Sequence, residues 1–390
     1  MRILHTSDWH LGRSLHGVDL LPYQEAFLEH LLAVVIEREV DVLLLAGDVY
    51  DRAIPPVQAV TILSTALSRL AEHATVILAP GNHDSAIRLG FGAALLRDGI
   101  HIRAEVDRLQ EPVVVTDEHG EVAFYPLPYL DPDTTRGQLA AQGEPPLARS
   151  HEAVIGAALG LVRADLAERR KGGPVRAVVA AHAFVIGGTA SESERDIRIG
   201  GVDAVPSEVF EGFDYVALGH LHGAQRVGRA GAEDSMRYSG SPLAYSFSER
   251  NQTKSSVLVE LDGAGGSTIE LVPAPVPRRL VDVTGAIEQL GGAAFDDDVD
   301  AWVRATVTDD IRPPELYATL KARFPGLLVW SHAPANRSDD GAARAVTAVS
   351  DPVEVASEFL EYATGAPSTT RQAELIRTAH EAALAAEVSG

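Results

Sequence analysis

The sequence of 390 residues contains no cysteine. Disulfide bonds and thiolate metal sites are therefore excluded, and any metal ion must be bound by nitrogen and oxygen ligands. No apolar run approaches the roughly 18 residues that a membrane-spanning helix needs. The longer ones, such as Val42 to Ala46, have the length of a strand. Polar residues stand from His5 onward, which is not typical of a signal peptide. We therefore expect a cytoplasmic protein without a membrane partner.

Basic residues are also in short supply. Lys and Arg number 33 against 55 Asp and Glu, which gives a formal net charge of −22. Proteins that bind nucleic acid unaided usually carry a basic surplus, because neutralisation of phosphates supplies much of their affinity. Taken alone, this charge argues against a nucleic-acid substrate. If one binds, divalent cations or a basic partner are expected to face its phosphates.

A chain of this length is expected to form two or three units. Residues 1–265 alternate short apolar runs with helical patterns, which indicates an α/β fold. Helices are predicted from Pro22, over Val57–Ala71 and over Leu147–Arg170. The predicted strands are Arg2–Thr6, Asp41–Ala46, Thr75–Ala79, His101–Arg103, Val122–Pro126, Val175–Ala181, Tyr215–Leu218, Arg237–Ser239 and Ser256–Leu261.

The remainder of the chain is predicted to form a second domain and two helices. The Gly- and Pro-rich segment Asp262–Arg279 is interpreted as a domain boundary. Residues 280–349 then show a strand–helix–strand pattern, and residues 350–390 show two helical segments. Asp351 and Glu354 have the spacing of a capping box at the first of these helices. Each of the two helices has an apolar stripe along one face. These stripes could pack on this chain or on a partner, and the sequence leaves both possibilities open.

Residue types that bind metals recur where strands of the first domain end. Loops at the carboxyl ends of strands converge in open α/β sheets, so motifs repeated in this way predict one shared site. Glycines at 47, 81 and 219 are expected to allow tight turns beside the ligands. The motifs are Asp8 with His10, Gly47-Asp48, Gly81-Asn82-His83-Asp84, His182, and Gly219-His220-Leu221-His222.

The mixture of donors indicates the chemistry. Carboxylate, imidazole and amide groups together suit Mn²⁺, Fe²⁺ or Zn²⁺ better than Ca²⁺. Two such ions about 3.5–4 Å apart can clamp a phosphodiester, one activating water and both stabilising the charge of the transition state. A carboxylate is expected to bridge them, because it can bind two cations at once. The residues therefore predict a metal-dependent phosphodiesterase with two metal ions.

In order and content these motifs, with Asp51 and Arg52 after Asp48, resemble the calcineurin-like metallophosphoesterase signature. Other segments are similar, more narrowly, to the SbcD family, the nuclease subunits of the bacterial Mre-type SbcCD complex. The resemblance covers nearly the whole chain. This likeness lies in Thr6–Gly12, Ala181–Val185, Tyr238–Pro242 and Ser246–Glu249, and the last two of these segments narrow it to this family.

The resemblance implies roles for the site residues. His83 would face the substrate, contact the scissile phosphate and assist the leaving oxygen. Asp51 matches the position that orients this histidine in related phosphatases. Seven residues would bind the two ions: Asp8, His10 and His222 one, Asn82, His182 and His220 the other, and Asp48 both.

The resemblance also implies an architecture, a cofactor and partners. The expected fold is a β-sandwich flanked by helices (α/β/β/α), with residues 280–349 as a small α+β capping domain. The expected cofactor is a pair of Mn²⁺ ions. Residues 350–390 would dock on an SbcC-type ATPase in a heterotetramer, and the chain itself would form a homodimer. The expected activities on DNA are exonuclease cleavage of double strands and endonuclease cleavage of single strands and hairpins, in repair, recombination and replication.

Two other functions compete with a nuclease. A small-substrate phosphoesterase, such as a cyclic-nucleotide phosphodiesterase or a nucleotidase, would use the same metals and would suit the negative charge better. The residues after the boundary segment and the segments Tyr238–Pro242 and Ser246–Glu249 argue against it. A non-catalytic scaffold that only binds the ATPase is disfavoured, because the ligand set is complete.

Overall fold

The computed structural model describes residues 1–96, 99–194, 204–228, 234–334, 351–364 and 366–388. The chain divides into two compact units, Met1–Pro277 and Arg278–Gly390. Residues 335–349 of the predicted capping domain lie outside the described residues. Within the described ranges, no helix is both long and apolar enough to cross a membrane.

The first unit alternates strands with helices, as the sequence pattern predicted. Its helices are α1 (Leu21–Glu37), α2 (Val57–Leu70), α3 (Ala86–Leu89), α4 (Pro132–Thr135) and α5 (His151–Arg169). Its strands are β1 (Arg2–Thr6), β2 (Ser14–Leu15), β3 (Val18–Asp19), β4 (Val42–Ala46), β5 (Thr75–Ala79), β6 (Ile100–Ile102), β7 (Val113–Asp117), β8 (Gly120–Pro126), β9 (Arg176–His182), β10 (Tyr215–Gly219), β11 (Gln225–Arg226), β12 (Met236–Tyr238), β13 (Ser255–Leu261) and β14 (Ser267–Pro273).

Most of these strands form two mixed, six-stranded sheets. The first sheet has the order β14-β13-β1-β4-β5-β6, in which β1, β4, β5 and β6 are parallel and β13 is antiparallel to both of its neighbours, β1 and β14. The second has the order β11-β12-β10-β9-β8-β7, with a parallel centre and antiparallel strands at both edges. Strands β2 and β3 form a separate two-stranded ribbon.

The two sheets pack face to face and helices cover their outer faces. Ile3 and Leu44 of the first sheet share a buried cluster with Phe124 and Ala217 of the second. Helices α1 and α2 pack on the outer face of the first sheet, and α5 packs on the second. Strands buried on both faces have continuous apolar runs, as in β4. The predicted α/β/β/α class is therefore confirmed.

The sandwich brings the carboxyl ends of strands from both sheets together. Gly219 of β10 pairs with His182 of β9 in the second sheet. Nδ1 of His182 lies 3.0 Å from the carbonyl oxygen of Ala46, the last residue of β4 in the first sheet. One end of the sandwich thus gathers the loops that follow β1, β4, β5, β9 and β10.

The segment interpreted as a domain boundary, Asp262–Arg279, is in part a strand. Its residues Ser267–Pro273 form β14, which pairs along its whole length with β13 at the edge of the first sheet. Glycines on one side, prolines on the other and exposed alternate residues conceal this strand in the sequence. Proline is tolerated at Pro273 because it ends an edge strand. The two units meet in sequence after Pro277.

The second unit contains a parallel, three-stranded sheet in the order β15-β16-β17. Its strands are β15 (Leu280–Gly285), β16 (Trp302–Val307) and β17 (Leu327–His332), and its short helices are α6 (Ile287–Leu290) and α7 (Leu316–Arg323). Val303, Leu320 and Phe324 lie in its buried core. The predicted C-terminal helices are α8 (Pro352–Thr364) and α9 (Thr370–Val388).

Candidate metal centre

The loops after the strands hold four site residues in an unusual backbone conformation. Asp8, His10, Asp48 and His220 have positive φ angles of 56°, 45°, 50° and 106°. Such angles are uncommon outside glycine and concentrate at functional sites. Main-chain hydrogen bonds stabilise two of them, since Asp8 N–H donates to the Gly47 carbonyl and His10 N–H to the Asp48 carbonyl, both at 3.0 Å.

Glycine is required at two turns because neighbouring ligands approach the main chain. Gly47 has a φ of +91°, and a β-carbon there would collide with the ring of His182. A β-carbon at Gly81 would collide with the carboxylate of Asp48. The glycines therefore allow the loops to pack against the ligand side chains as well as to turn.

The structure brings six of the seven predicted ligands into one buried cluster, and Asn82 is partly buried beside it. Asp8, His10, Asp48, His182, His220 and His222 are at most 5% exposed. Potential ligand atoms of three sets of side chains lie within 4.8 Å of one another, and His220 is in none of these sets within the described chain. The sets are Asp8, His10 and His222; His10, Asp48 and His83; and Asp8, Asp48 and His182.

Asp48 lies between the two halves of the cluster. Its Oδ2 is 3.5 Å from Nε2 of His10 and 3.5 Å from Nε2 of His182. Its Oδ1 accepts a hydrogen bond from the main-chain N–H of His83 at 2.8 Å. A carboxylate with imidazoles on both sides is suited to bridge two cations.

The outer ligands form a group at either side of Asp48. On one side, Nε2 of His10 lies 3.1 Å from Nε2 of His222. On the other, Nε2 of His182 lies 2.8 Å from Oδ1 of Asn82, and the ring centroid of His220 is 5.3 Å from that of His182. The resemblance assigns His10 and His222 to one metal ion and Asn82, His182 and His220 to the other, and this assignment stays a prediction.

The close pairs of donor atoms fit a metal site. An imidazole nitrogen and an amide oxygen both present lone pairs, as do two imidazole nitrogens that have their protons on Nδ1. Two such atoms repel each other unless a proton or a cation lies between them. The 2.8 Å and 3.1 Å contacts therefore need a proton or a cation between the two atoms, and a metal ion at each end of the cluster would meet that need. Imidazole, carboxylate and amide donors suit Mn²⁺, Fe²⁺ or Zn²⁺.

Burial disfavours the charged form of each of these groups, whereas a neighbouring opposite charge favours it, and the balance of the two sets each pKa. Burial raises the pKa of Asp8 to about 6 and lowers the pKa of His10 and His220 well below the ordinary value. Burial also opposes ionisation of Asp48 and His182. Their mutual attraction prevails, so the pKa of Asp48 is lowered and that of His182 is raised to about 9. The His182 ring is therefore protonated in the absence of metal, and a metal ion that binds this ring would displace the proton.

His83 lies at the same cluster, and a main-chain group contacts its ring. Its Nδ1 donates to the main-chain carbonyl of Asp51 at 2.7 Å. The Asp51 carboxylate, predicted to orient this ring, lies instead 3.9 Å from Nδ1 of His10 and 3.7 Å from Arg13. The orienting acceptor thus comes from residue 51 but belongs to the backbone, which the sequence cannot indicate.

Further residues support the ligands without having been predicted. The Asp84 carboxylate accepts main-chain hydrogen bonds from Val49, Tyr50 and Gly81 at 2.9–3.0 Å, which joins the loops after β4 and β5. Ser7 contacts Asp8 and also Ser239, at 2.8 Å between the hydroxyl oxygens. Asp84 and Ser239 belong to the motifs on which the resemblance rests. Their place in these motifs was the signal in the sequence that they lie at the site.

Glu249 is the third supporting group, and it lies beside His222. Its Oε1 is 3.2 Å from Nδ1 of His222, and its side chain is fully buried. It ends the segment Ser246–Glu249, which narrows the family resemblance but to which the sequence assigned no role. Its burial next to a ligand became visible only in the folded chain.

Comparison with known proteins agrees with this site. The calcineurin-like phosphoesterase family matches residues 1–224, which include all of the predicted ligands. A crystal structure of TT1561 of Thermus thermophilus is similar, with 17% sequence identity and a TM-score of 0.36. That match covers 69% of this chain and 98% of the other. The family assignment rests on the first match.

The fold and the buried cluster define a metal-binding phosphoesterase, a hydrolase of phosphate esters. The chain belongs to the calcineurin-like phosphoesterase family. Its His and Asp clusters suit the dimetal site that is typical of this family.

Proposed function

We propose that this chain is an SbcD-like, Mn²⁺-dependent DNA nuclease, which hydrolyses phosphodiester bonds with two metal ions. The main support is the position of the segments that narrow the resemblance. Ser239 of Tyr238–Pro242 contacts Ser7 beside Asp8, and Glu249 of Ser246–Glu249 contacts His222. Both segments therefore line the metal centre, where a general phosphoesterase signature alone would not require them.

The chain's own residues have distinct tasks in this reaction. Asp8, His10 and His222 would hold one ion, Asn82, His182 and His220 the other, and Asp48 both. Bound Mn²⁺ ions would activate water and stabilise the charge that develops on the phosphate. The Asp51 carbonyl occupies Nδ1–H of His83. His83 therefore delivers a proton to the leaving oxygen from Nε2, which requires the imidazolium form.

The proposal includes an SbcC-type ATPase partner and a homodimer. With a formal net charge of −22, the chain offers little general attraction for DNA, so a partner that binds DNA is consistent with its composition. Large apolar side chains are exposed near α3, where Ile87, Phe91 and Leu95 are 85–88% exposed. Exposed apolar groups of this kind are typical of protein interfaces.

The test is a substrate panel in Mn²⁺, with and without an SbcC-type ATPase. The panel contains labelled duplex DNA, a DNA hairpin, a chromogenic phosphodiester, a cyclic nucleotide and a nucleoside monophosphate. We expect cleavage of the duplex and hairpin, stimulated by the ATPase, and slower hydrolysis of the chromogenic ester. His83→Gln is the inactive reference, and His73→Gln, at an exposed position, is its matched control.

Other outcomes would separate the competing functions. Rapid hydrolysis of a cyclic nucleotide or nucleoside monophosphate without DNA cleavage would identify a small-substrate phosphoesterase. Binding to the ATPase with no hydrolysis of any substrate would identify a scaffold. Either result would overturn the nuclease assignment while leaving the family unchanged.

A further inference from the structure

A buried ion pair lies beside the metal centre without contributing a predicted ligand. Glu249 is fully buried and Lys254 is 5% exposed, and their charged groups are in contact. Both residues belong to the connection between β12 and β13. Removing two charges from water costs free energy that their attraction does not always recover. Packing alone therefore does not explain why this position holds an ion pair.

Both members of the pair hold the same residue, His222. Oε1 of Glu249 lies 3.2 Å from Nδ1 of the His222 ring. Nζ of Lys254 donates to the His222 main-chain carbonyl at 2.8 Å. Ser193 adds a third contact, because its hydroxyl oxygen is 2.7 Å from the same Nδ1 and donates to Glu249. The ring and the backbone of one residue are thus held from one buried pair.

These contacts select the form of the ring. A carboxylate can only accept, so it favours a proton on Nδ1 of His222. Nε2 then presents its lone pair, and this atom is the one that lies 3.1 Å from Nε2 of His10. A carboxylate on the far nitrogen also makes an imidazole a stronger ligand. Lys254 in turn keeps Glu249 in place through its ion pair.

The other side of the cluster is held differently. Nδ1 of His182 lies 3.0 Å from the carbonyl oxygen of Ala46, a neutral acceptor in the main chain. Glu249 and Lys254 hold His222 instead, through its ring and its main chain. The two sides therefore depend on separate acceptors, one of which can be removed by substitution.

We propose that Glu249, anchored by Lys254, is a positioning residue that sets the metal affinity of one side of the centre, that of Asp8, His10 and His222. The affinity of the side that contains Asn82 and His182 does not depend on it. The inference rests on the two-metal site of the proposed function and is independent of the substrate.

The test is Mn²⁺ titration of the full-length chain without nucleic acid. Calorimetry and electron paramagnetic resonance measure how many ions bind and how tightly. The parent should bind two ions. Glu249→Gln keeps the size and an acceptor but loses the charge, so one ion should bind about 10- to 100-fold more weakly and the other unchanged. Glu260→Gln, on the exposed face of β13, is the matched control and should bind as the parent does.

A double variant separates positioning from stability. Glu249→Gln alone leaves the Lys254 charge buried, whereas Glu249→Gln with Lys254→Met removes both charges and should recover thermal stability. If Glu249 positions His222, the double variant still binds one ion weakly, and high Mn²⁺ concentrations restore hydrolysis of the chromogenic ester. Two ions bound with parental affinity in either variant would overturn the inference. A chain that binds two ions but leaves DNA intact would overturn only the proposed function.

Discussion

At the scale of single residues, Asp48 is the group on which both sides of the cluster depend. Its Oδ2 lies 3.5 Å from imidazoles on each side, and its carboxylate is buried. In Asp48→Asn one neutral oxygen cannot balance two dications, so the variant should lose both ions or bind them unevenly. Anomalous scattering at the Mn edge measures the occupancy of each position, with Asp107→Asn at an exposed site as control. Two fully occupied positions in Asp48→Asn would show that another group forms the bridge.

His83 permits a separation of metal binding from proton transfer. His83→Gln should keep both ions and the fold but lose cleavage by about 10²–10⁴, the usual contribution of a positioned general acid. Single-turnover cleavage beside a metal titration measures both properties. Since His83 also lies near Asp48 and His10, loss of an ion in His83→Gln would show that it is a ligand instead.

Asp51→Asn should have a smaller effect than the sequence suggests. The hydrogen bond to Nδ1 of His83 comes from the main-chain carbonyl of residue 51, which this substitution retains. The lost charge lies near His10 and Arg13, so a modest change in rate is expected. A loss as large as that of His83→Gln, in the same single-turnover assay, would restore the carboxylate to the orienting role.

At the scale of the elements, a buried pair of polar side chains links the two sheets away from the predicted ligands. Nδ1 of His5, on β1, lies 3.0 Å from the hydroxyl oxygen of Tyr215, on β10. Burial lowers the pKa of His5 from 6.5 to about 3. Below pH 6.5 His5 therefore binds a proton in the unfolded chain, whereas in the folded chain it stays neutral until the pH is near 3. As the pH is lowered from about 6.5 to 3, the free energy of unfolding should therefore decrease, by up to about 1.4 kcal/mol per pH unit from this group.

The measurement is urea unfolding of the metal-free chain at a series of pH values. His5→Gln cannot take up this proton, so its stability should fall less steeply with pH than that of the parent in the same range. The exposed His73→Gln should follow the parent. Equal slopes for His5→Gln and the parent would mean that His5 is already protonated in the folded state.

At the scale of the whole molecule, the C-terminal helices are the expected contact with the ATPase. Phe359 of α8 and Leu375 of α9 are 68% and 62% exposed. Removal of residues after Val349 should leave a chain that hydrolyses the chromogenic phosphodiester, because the predicted ligands all lie in Met1–Pro277. Co-purification with an SbcC-type ATPase should be lost. Unchanged co-purification would place the docking surface elsewhere.

The sequence by itself determined the α/β class and predicted which candidate ligands would share one site. Continuous apolar runs such as β4 identify strands buried on both faces, and their ends identify where loops must converge. Hence Asp8, Asp48 and His182 could be assigned to one site although they are far apart in the chain. Strand β14 escaped this reasoning because most residues of this edge strand are exposed or only partly buried, so its apolar pattern is weak.

Only the tertiary structure decided which atoms support the ligands. The Asp51 carbonyl orients His83 and the Asp84 carboxylate joins two loops. Glu249 contacts His222 although 27 residues separate them in the chain. Backbone groups are identical in every residue, and a contact between distant segments follows from packing. Residue type therefore predicts the ligands, whereas their orientation depends on the folded chain.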